Sequence, residues 1–472
     1  MFKRTIIVLF SLFVSFFCFA APPELPSIFS DHMVLQRQMK VPVWGKADAG
    51  ATVTVEFAGQ KKTTAAGADG NWRVDLDPME ASAESRIMTV TAGADKVEFA
   101  DVLVGEVWLA SGQSNMQWAM FRTENAKNDI AEATHPLIRL YNTPVKFSLQ
   151  PESRIDASWT ECTSETVPNF SAVAYFFGRK LQRDLNVPIG LWHSSWGGTK
   201  IEPWMTLGGL KSVEAVKAIY EQAQKTPELT GNFQTDRQNP TLIYNAMLHA
   251  NVPFAIRGAI WYQGEANRVD GMLYVEKTRA LLNGWYEAWG YEFPYYLVQL
   301  APFNFGWDEP YLGGPVFWEA QAEIVKQIPN TGMIVVNDTV IDLNNIHPPN
   351  KIVPGERLAL LAEAKTYGMN VVHSGPVFEQ MKISGNSIII SFTFADGLTT
   401  RDSKAPDWFE IAGKDGIFKP ATVKISENTV ILSSPEVENP AAMRFAWHKN
   451  ATPNLMNAAG LPASAFRAGQ ID

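Results

Sequence analysis

Four short segments of the chain carry side chains and backbone groups suited to acyl transfer. The first, Gly112-Gln113-Ser114-Asn115-Met116, places a serine hydroxyl in a turn that glycine can tighten, with backbone N–H groups following it. The second, Ser195-Trp196-Gly197-Gly198-Thr199, has paired glycines that let the backbone approach a bound group and point an N–H at it. In the third, Trp261-Tyr262-Gln263-Gly264-Glu265, Gln263 offers an amide donor to an oxyanion and Glu265 a carboxylate. The fourth, Asn345-Ile346-His347-Pro348-Pro349-Asn350-Lys351, holds an imidazole whose ordinary pKa suits a general base. Taken singly, each also reads as a structural turn. Together they describe a serine nucleophile, a base and a pocket of donors.

Chemistry at these positions requires elements that end beside one another. Val102 to Ala110 is an apolar run, broken by Glu106 alone among charged residues, of the kind a buried parallel strand needs. Residues 187–192, 256–262, 295–300 and 333–336 supply four more such runs. Helical spacing occupies 172–185, where Val173, Phe176, Phe177 and Leu181 share a face, and also 275–289, 316–328 and 355–367. Strands alternating with helices predict an α/β domain over 101–368, and each chemical segment then lies just beyond the carboxyl end of a strand.

On either side the pattern is all β. Period-2 alternation at 41–44, 52–57, 72–76 and 87–91 predicts a small sandwich-like domain over 21–100. Short strands at 387–392, 409–411, 422–425 and 429–432 predict a second over 369–472.

Residues 1–20 have the form of a signal peptide. Lys3 and Arg4 precede an apolar run, and Cys18 and Ala20 supply small residues before the cleavage point at Ala21. The run of about fifteen residues is short of the roughly 20 that span a bilayer, so an exported, periplasmic or secreted protein is expected, with no stable membrane insertion. Cys162 is then the one thiol left, which excludes an intrachain disulfide and reads as a packing residue. Net charge of −9 disfavours nucleic acid as a partner. The 7 histidines form no spaced metal-binding cluster, so no metal and no cofactor are expected. Trp196, Trp204 and Trp261 adjoin the motif segments and are candidates to stack beneath a sugar ring.

The four segments stand in the order found in bacterial sialate O-acetylesterases, within the SGNH hydrolase superfamily, and the chain resembles that family from about Phe29 nearly to its end. Phe170-Ser171-Ala172 and Gly460-Leu461-Pro462 extend the likeness. The resemblance implies an SGNH-type three-layer catalytic domain hydrolysing carbohydrate O-acetyl esters. It implies Ser114 as nucleophile, His347 as base, and an oxyanion hole from the N–H groups of Ser114 and of Gly197 or Gly198 with the Gln263 amide. Acetylxylan esterases look much the same at these motifs, so acetylated xylan is the alternative substrate. One departure stands out. The superfamily places an aspartate three residues before the histidine, and here that position is Asn344, followed by Asn345. Some related sugar acetylesterases take the acid from the Gln-Gly-Glu motif, which favours Glu265. Asp342 is the alternative acid, with Asp338 behind it, and a Ser–His dyad oriented by Asn344 is a third arrangement. The missing aspartate also leaves room for a carbohydrate-binding protein that has lost esterase activity.

Overall fold

The computed structural model describes residues 22–306, 311 and 313–470, so the expected signal peptide lies outside the described residues. Strands run in the spatial order Thr331–Ile334, Tyr295–Val298, Gly258–Tyr262, Asp95–Gly112, Ile189–Ser195, His135–Asn142, Trp159–Cys162. All neighbouring pairs are parallel except the last, which is antiparallel and closes one edge. The sheet is buried on both faces. Val107 and Leu109 point into a core with Trp204, Trp261 and Trp285. Trp108 and Ala110 point into another with Phe176, Phe177 and Leu358. This two-sided burial is why the strand reads as a largely apolar run rather than an alternating one.

The expected helices are present at Ala172–Leu185, Leu273–Trp289, Pro315–Gln327 and Ile352–Lys365. Ser171 caps the first by accepting from the Ala174 N–H, and Asn186 ends it in a left-handed conformation. No helix among the described residues is long and apolar enough to cross a membrane.

The boundary expected at residue 100 falls inside a single strand, Asp95–Gly112. Its first half pairs antiparallel with Ser82–Ala92. Leu103–Gly105 then pair in parallel with Val34–Gln36, and Glu106 onward joins the central sheet. The N-terminal β segment thus continues directly into the strand that leads to Ser114. A buried carboxylate marks this junction: Glu106 receives Arg37 at 2.5 Å and Arg257 at 2.7 Å. The later β segment forms two four-stranded antiparallel sheets, 377–384/387–393/429–433/422–426 and 419–420/409–412/442–445/466–469. It reaches back to the catalytic region where Asn337 Nδ2 donates to the Ala463 carbonyl and Arg357 to the Gly460 carbonyl. The Gly460-Leu461-Pro462 motif is therefore tied to the helix that follows His347.

Candidate active site

Three strands end level at one edge of the sheet. Gly112 is in register with Ser195 on one side and Tyr262 on the other, and the segment that follows each strand is one of the four motifs. Here the strand order reverses around the first strand of the domain, the position where open α/β sheets leave a crevice. Gly112 has φ +137°, and a Cβ there would lie 2.3 Å from the Tyr262 carbonyl oxygen. Only glycine fits, and the chain turns at once into the short helix Ser114–Gln117.

That helix is held from beneath. The buried Ser171 hydroxyl donates to the Met116 carbonyl at 2.6 Å, and the Ala172 N–H donates to the Trp118 carbonyl at 2.9 Å. This explains why Phe170-Ser171-Ala172 accompanies the serine motif: one residue caps the following helix and anchors the Ser114 turn. Ser114 itself is half-buried between the buried Gln113 and Asn115.

His347 is brought to the same helix. Its ring stacks on Trp118, with centroids 4.9 Å apart and planes 26° apart. The preceding Ile346 carbonyl accepts from Asn115 Nδ2 at 3.1 Å, so the residue after Ser114 fixes the residue before His347. Burial, then the charges of Lys351 and Arg122, push the His347 pKa down to about 4, so the imidazole is neutral and able to accept a proton near pH 7. Among the described residues neither ring nitrogen makes a hydrogen bond. Such catalytic contacts commonly tighten only when substrate is bound.

The candidate acids are placed as follows. Glu265 is buried, and its Oε1 accepts from Asn115 Nδ2 at 2.6 Å; Oε2 has no hydrogen-bond partner among the described residues. Burial raises its pKa, opposed in part by that bond and by Lys351. Asp342 is exposed and accepts from the Asn344 N–H at 2.9 Å. Asp338 forms a bidentate pair with Arg357 at 2.6 Å. Asn344 Oδ1 accepts from Asn304 Nδ2 at 3.3 Å, and Asn345 Oδ1 from the His347 N–H at 3.0 Å. Of these groups Glu265 lies deepest, and it meets the His347 loop through Asn115 rather than meeting the imidazole.

The expected oxyanion donors divide. Gly197 lies against the serine, since a Cβ on it would stand 3.1 Å from Ser114 Cβ. Its N–H donates to Gln117 Oε1 at 2.7 Å. Gly198, exposed and at φ +72°, has no partner for its N–H among the described residues. Gln263 is fully buried and committed elsewhere. Its Nε2 donates to the Thr199 carbonyl at 3.0 Å and to Asn267 Oδ1 at 2.7 Å, while Oε1 accepts from the Tyr274 hydroxyl at 2.6 Å. One amide proton ties the 196–199 loop through Thr199 and the other is taken by Asn267, so Gln263 has none to give an oxyanion. Of the expected donors, the backbone N–H groups of Ser114 and Gly198 are those without a partner among the described residues.

Nor are the three tryptophans a sugar platform. Trp204 and Trp261 are core residues in edge contact at 6.2 Å, with indole N–H groups bonded to Thr199 and Tyr274. Trp196 is covered by Phe147, Phe233 and Arg237. Near the serine helix, Trp118 is already covered by His347, and Phe121 is 50% exposed.

Lys351 closes the histidine motif. It is buried, with Nζ 2.6 Å from Asn115 Oδ1 and 5.6 Å from the ring centroids of Trp118 and Tyr262. Burial pushes its pKa down to about 7 against the pull of Glu265. Asn115 therefore bridges Lys351 and Glu265 directly beneath the serine turn.

Cys162 is buried, and its thiol is pushed up to about 12, so it is no nucleophile at neutral pH. The one group among the described residues with metal-like spacing, His32, Asp101 and Glu161, already surrounds the Arg139 guanidinium.

Against this geometry, the family model for carbohydrate esterase, sialic acid-specific acetylesterase, matches residues 104–359, the stretch that contains all four motifs. The chain belongs to this family. It is a hydrolytic esterase. The sialate O-acetylesterase of Homo sapiens is 32% identical over 406 residues, spanning 78% of this chain and 76% of that one. The rat (Rattus norvegicus) sialate O-acetylesterase is 29% identical over 480 residues, 89% of each chain. A solved carbohydrate acetylesterase from Xanthomonas citri superimposes with a TM-score of 0.86 at 35% identity, covering 95% of this chain and 100% of that one. The expected three-layer α/β architecture with flanking β segments is thus the fold of a carbohydrate acetylesterase, and the reading as an inactive binding protein falls away.

Proposed function

We propose that this esterase removes acetyl groups from O-acetylated sialic acids, with Ser114 as nucleophile and His347 as general base. The observation that carries the proposal is the stacking of the His347 ring on Trp118 while Asn115 ties the Ile346 carbonyl to the helix that begins at Ser114. In the first step His347 takes the Ser114 proton as Oγ attacks the acetyl carbonyl. The carbonyl oxygen becomes an anion facing the backbone N–H groups of Ser114 and Gly198, donors of a kind that contribute about 3–4 kcal/mol each. Collapse expels the sugar oxygen, which leaves with the proton from His347. Water, deprotonated by the same imidazole, then attacks the acetyl-enzyme and releases acetate, restoring Ser114.

Glu265 and Lys351 act through Asn115 in this scheme. They hold the serine turn and the histidine loop in one geometry, while the imidazolium of the transition state lies against the Trp118 ring. Export is supported by the basic start, apolar run and small residues of positions 1–20.

Acetate release from O-acetylated sialic acid and from acetylated xylan, measured side by side, tests the substrate. The proposal expects the sialic acid ester to be preferred in kcat/KM. Preference for xylan would assign the enzyme to polysaccharide deacetylation.

A further inference from the structure

Beside the Gly197-Gly198 turn lies a cation without an anion. Arg237 follows the short helix Phe233–Asp236 and is only 7% exposed. Its guanidinium lies 5.1 Å over the Trp196 ring. Nε is sealed from solvent without a hydrogen-bond partner, which leaves the residual exposure to the rest of the side chain. Among the described residues no carboxylate pairs with it, and burial alone lowers its pKa. Other buried arginines of this chain are matched, Arg139 with Asp101 and Arg357 with Asp338. A buried guanidinium left unpaired is costly to the fold, and such a group at a functional crevice is accounted for when a ligand supplies the missing anion.

The location says which ligand. A Cβ on Gly198 would lie 2.9 Å from an Arg237 Nη, and a Cβ on Gly197 would lie 3.1 Å from Ser114 Cβ. Two adjacent residues of one turn, with Cα atoms about 3.8 Å apart, therefore touch the serine on one side and the guanidinium on the other. A single sugar ring can span such a separation. Gln238 holds the turn in place, accepting from the Lys200 N–H at 2.9 Å and donating to the Gly198 carbonyl at 2.8 Å. A planar guanidinium fixed on an aromatic ring matches a carboxylate in two parallel hydrogen bonds, which an acetylated neutral sugar does not offer.

We propose that Arg237 binds the ring carboxylate of a sugar acid whose acetyl ester is presented to Ser114, and so selects acidic over neutral acetylated sugars. The inference rests on the sialate reading above and gives it a residue.

The test uses the whole protein and its Arg237→Gln variant, which keeps a side chain of similar length over Trp196. For each, kcat/KM is measured on O-acetylated sialic acid and on 4-nitrophenyl acetate. Inhibition by free sialic acid is compared with inhibition by its methyl ester. The ratio of kcat/KM for the acid over the neutral ester is expected to fall about 10- to 100-fold in the variant, chiefly through KM, as for the loss of one charge-assisted contact. Free sialic acid should inhibit the parent enzyme more strongly than its methyl ester does, and the variant should not distinguish them. Equal losses on both substrates, or discrimination of acid from methyl ester retained in the variant, overturns the assignment while leaving the esterase reading intact. A parent enzyme that hydrolyses the neutral ester but not the sialic acid ester overturns the sialate reading and this inference together.

Discussion

Glu265→Gln distinguishes two designs for the same site. If Glu265 held the imidazole directly, as the acid of a Ser–His–Asp triad does, neutralising it would lower kcat by about 10⁴-fold. The structure places it one residue further back. Its Oε1 accepts from Asn115 Nδ2 at 2.6 Å, and Asn115 in turn donates to the Ile346 carbonyl at 3.1 Å and accepts from Lys351 Nζ at 2.6 Å. The substituted amide still presents a carbonyl acceptor to Asn115. What is lost is the difference between a charge-assisted and a neutral hydrogen bond, about 1–1.5 kcal/mol. Lys351, already pushed down to about 7, also loses the anion that favours its charged form. Together these predict a fall of about 10-fold in kcat/KM. The assay is initial-rate acetate release, with Ser114→Ala as the zero. Asp342→Asn serves as the control, expected to change the rate less than about two-fold because that carboxylate is exposed and caps its own turn. A loss of 10³-fold or more for Glu265→Gln would show the carboxylate on the imidazole in the working enzyme and refute the relay through Asn115.

Gly112→Ala should destabilise the protein by about 3 kcal/mol or more, read as a lowered Tm, because its φ is positive and the new Cβ would stand 2.3 Å from a backbone oxygen; an unchanged Tm contradicts the strand register around Ser114. With His347 pushed down to about 4, kcat/KM should hold on the acid side to about pH 4 and fall below it as the base protonates. Stability carries the same sign: the unfolded histidine binds a proton below its ordinary pKa of 6.5 while the folded one resists, so this group's contribution declines as pH falls from 6.5 towards 4. Lys351→Met removes one of the two cations that depress His347, and should move the acid limb of kcat/KM to higher pH; a limb that stays in place or moves lower rules out that coupling.

The parts of the site legible in the sequence were those fixed by local rules. A glycine-bearing turn after an apolar run marks the carboxyl end of a strand, and all four motifs lie beyond such ends. What escaped depended on which way a side chain faces after folding. Lys351 and Arg237 read as surface residues by type, since lysine and arginine are seldom buried, and no spacing rule signals the burial of Lys351 under Asn115 or of Arg237 on Trp196. Trp204 and Trp261 adjoin the motifs in sequence yet point into the core behind them, whereas Trp118, only four residues after Ser114, carries the histidine. Gln263 sat at the right strand end, but its amide is consumed by Asn267, four residues on, and by Thr199 from a segment far away in sequence. The strand His135–Asn142 was missed because Pro136 and Arg139 interrupt its apolar pattern; Arg139 is buried there with Asp101 as its partner. The boundary at residue 100 failed for a related reason. A change from alternating to continuous hydrophobicity marks where one face of a strand becomes covered, not where the strand ends.

The most direct test of the account is mass-spectrometric mapping of the intact protein after reaction with a fluorophosphonate. One adduct per chain on Ser114 is predicted, absent from Ser114→Ala and formed far more slowly in His347→Ala. An adduct on a different serine, or full esterase activity in a protein whose Ser114 is blocked, would contradict it.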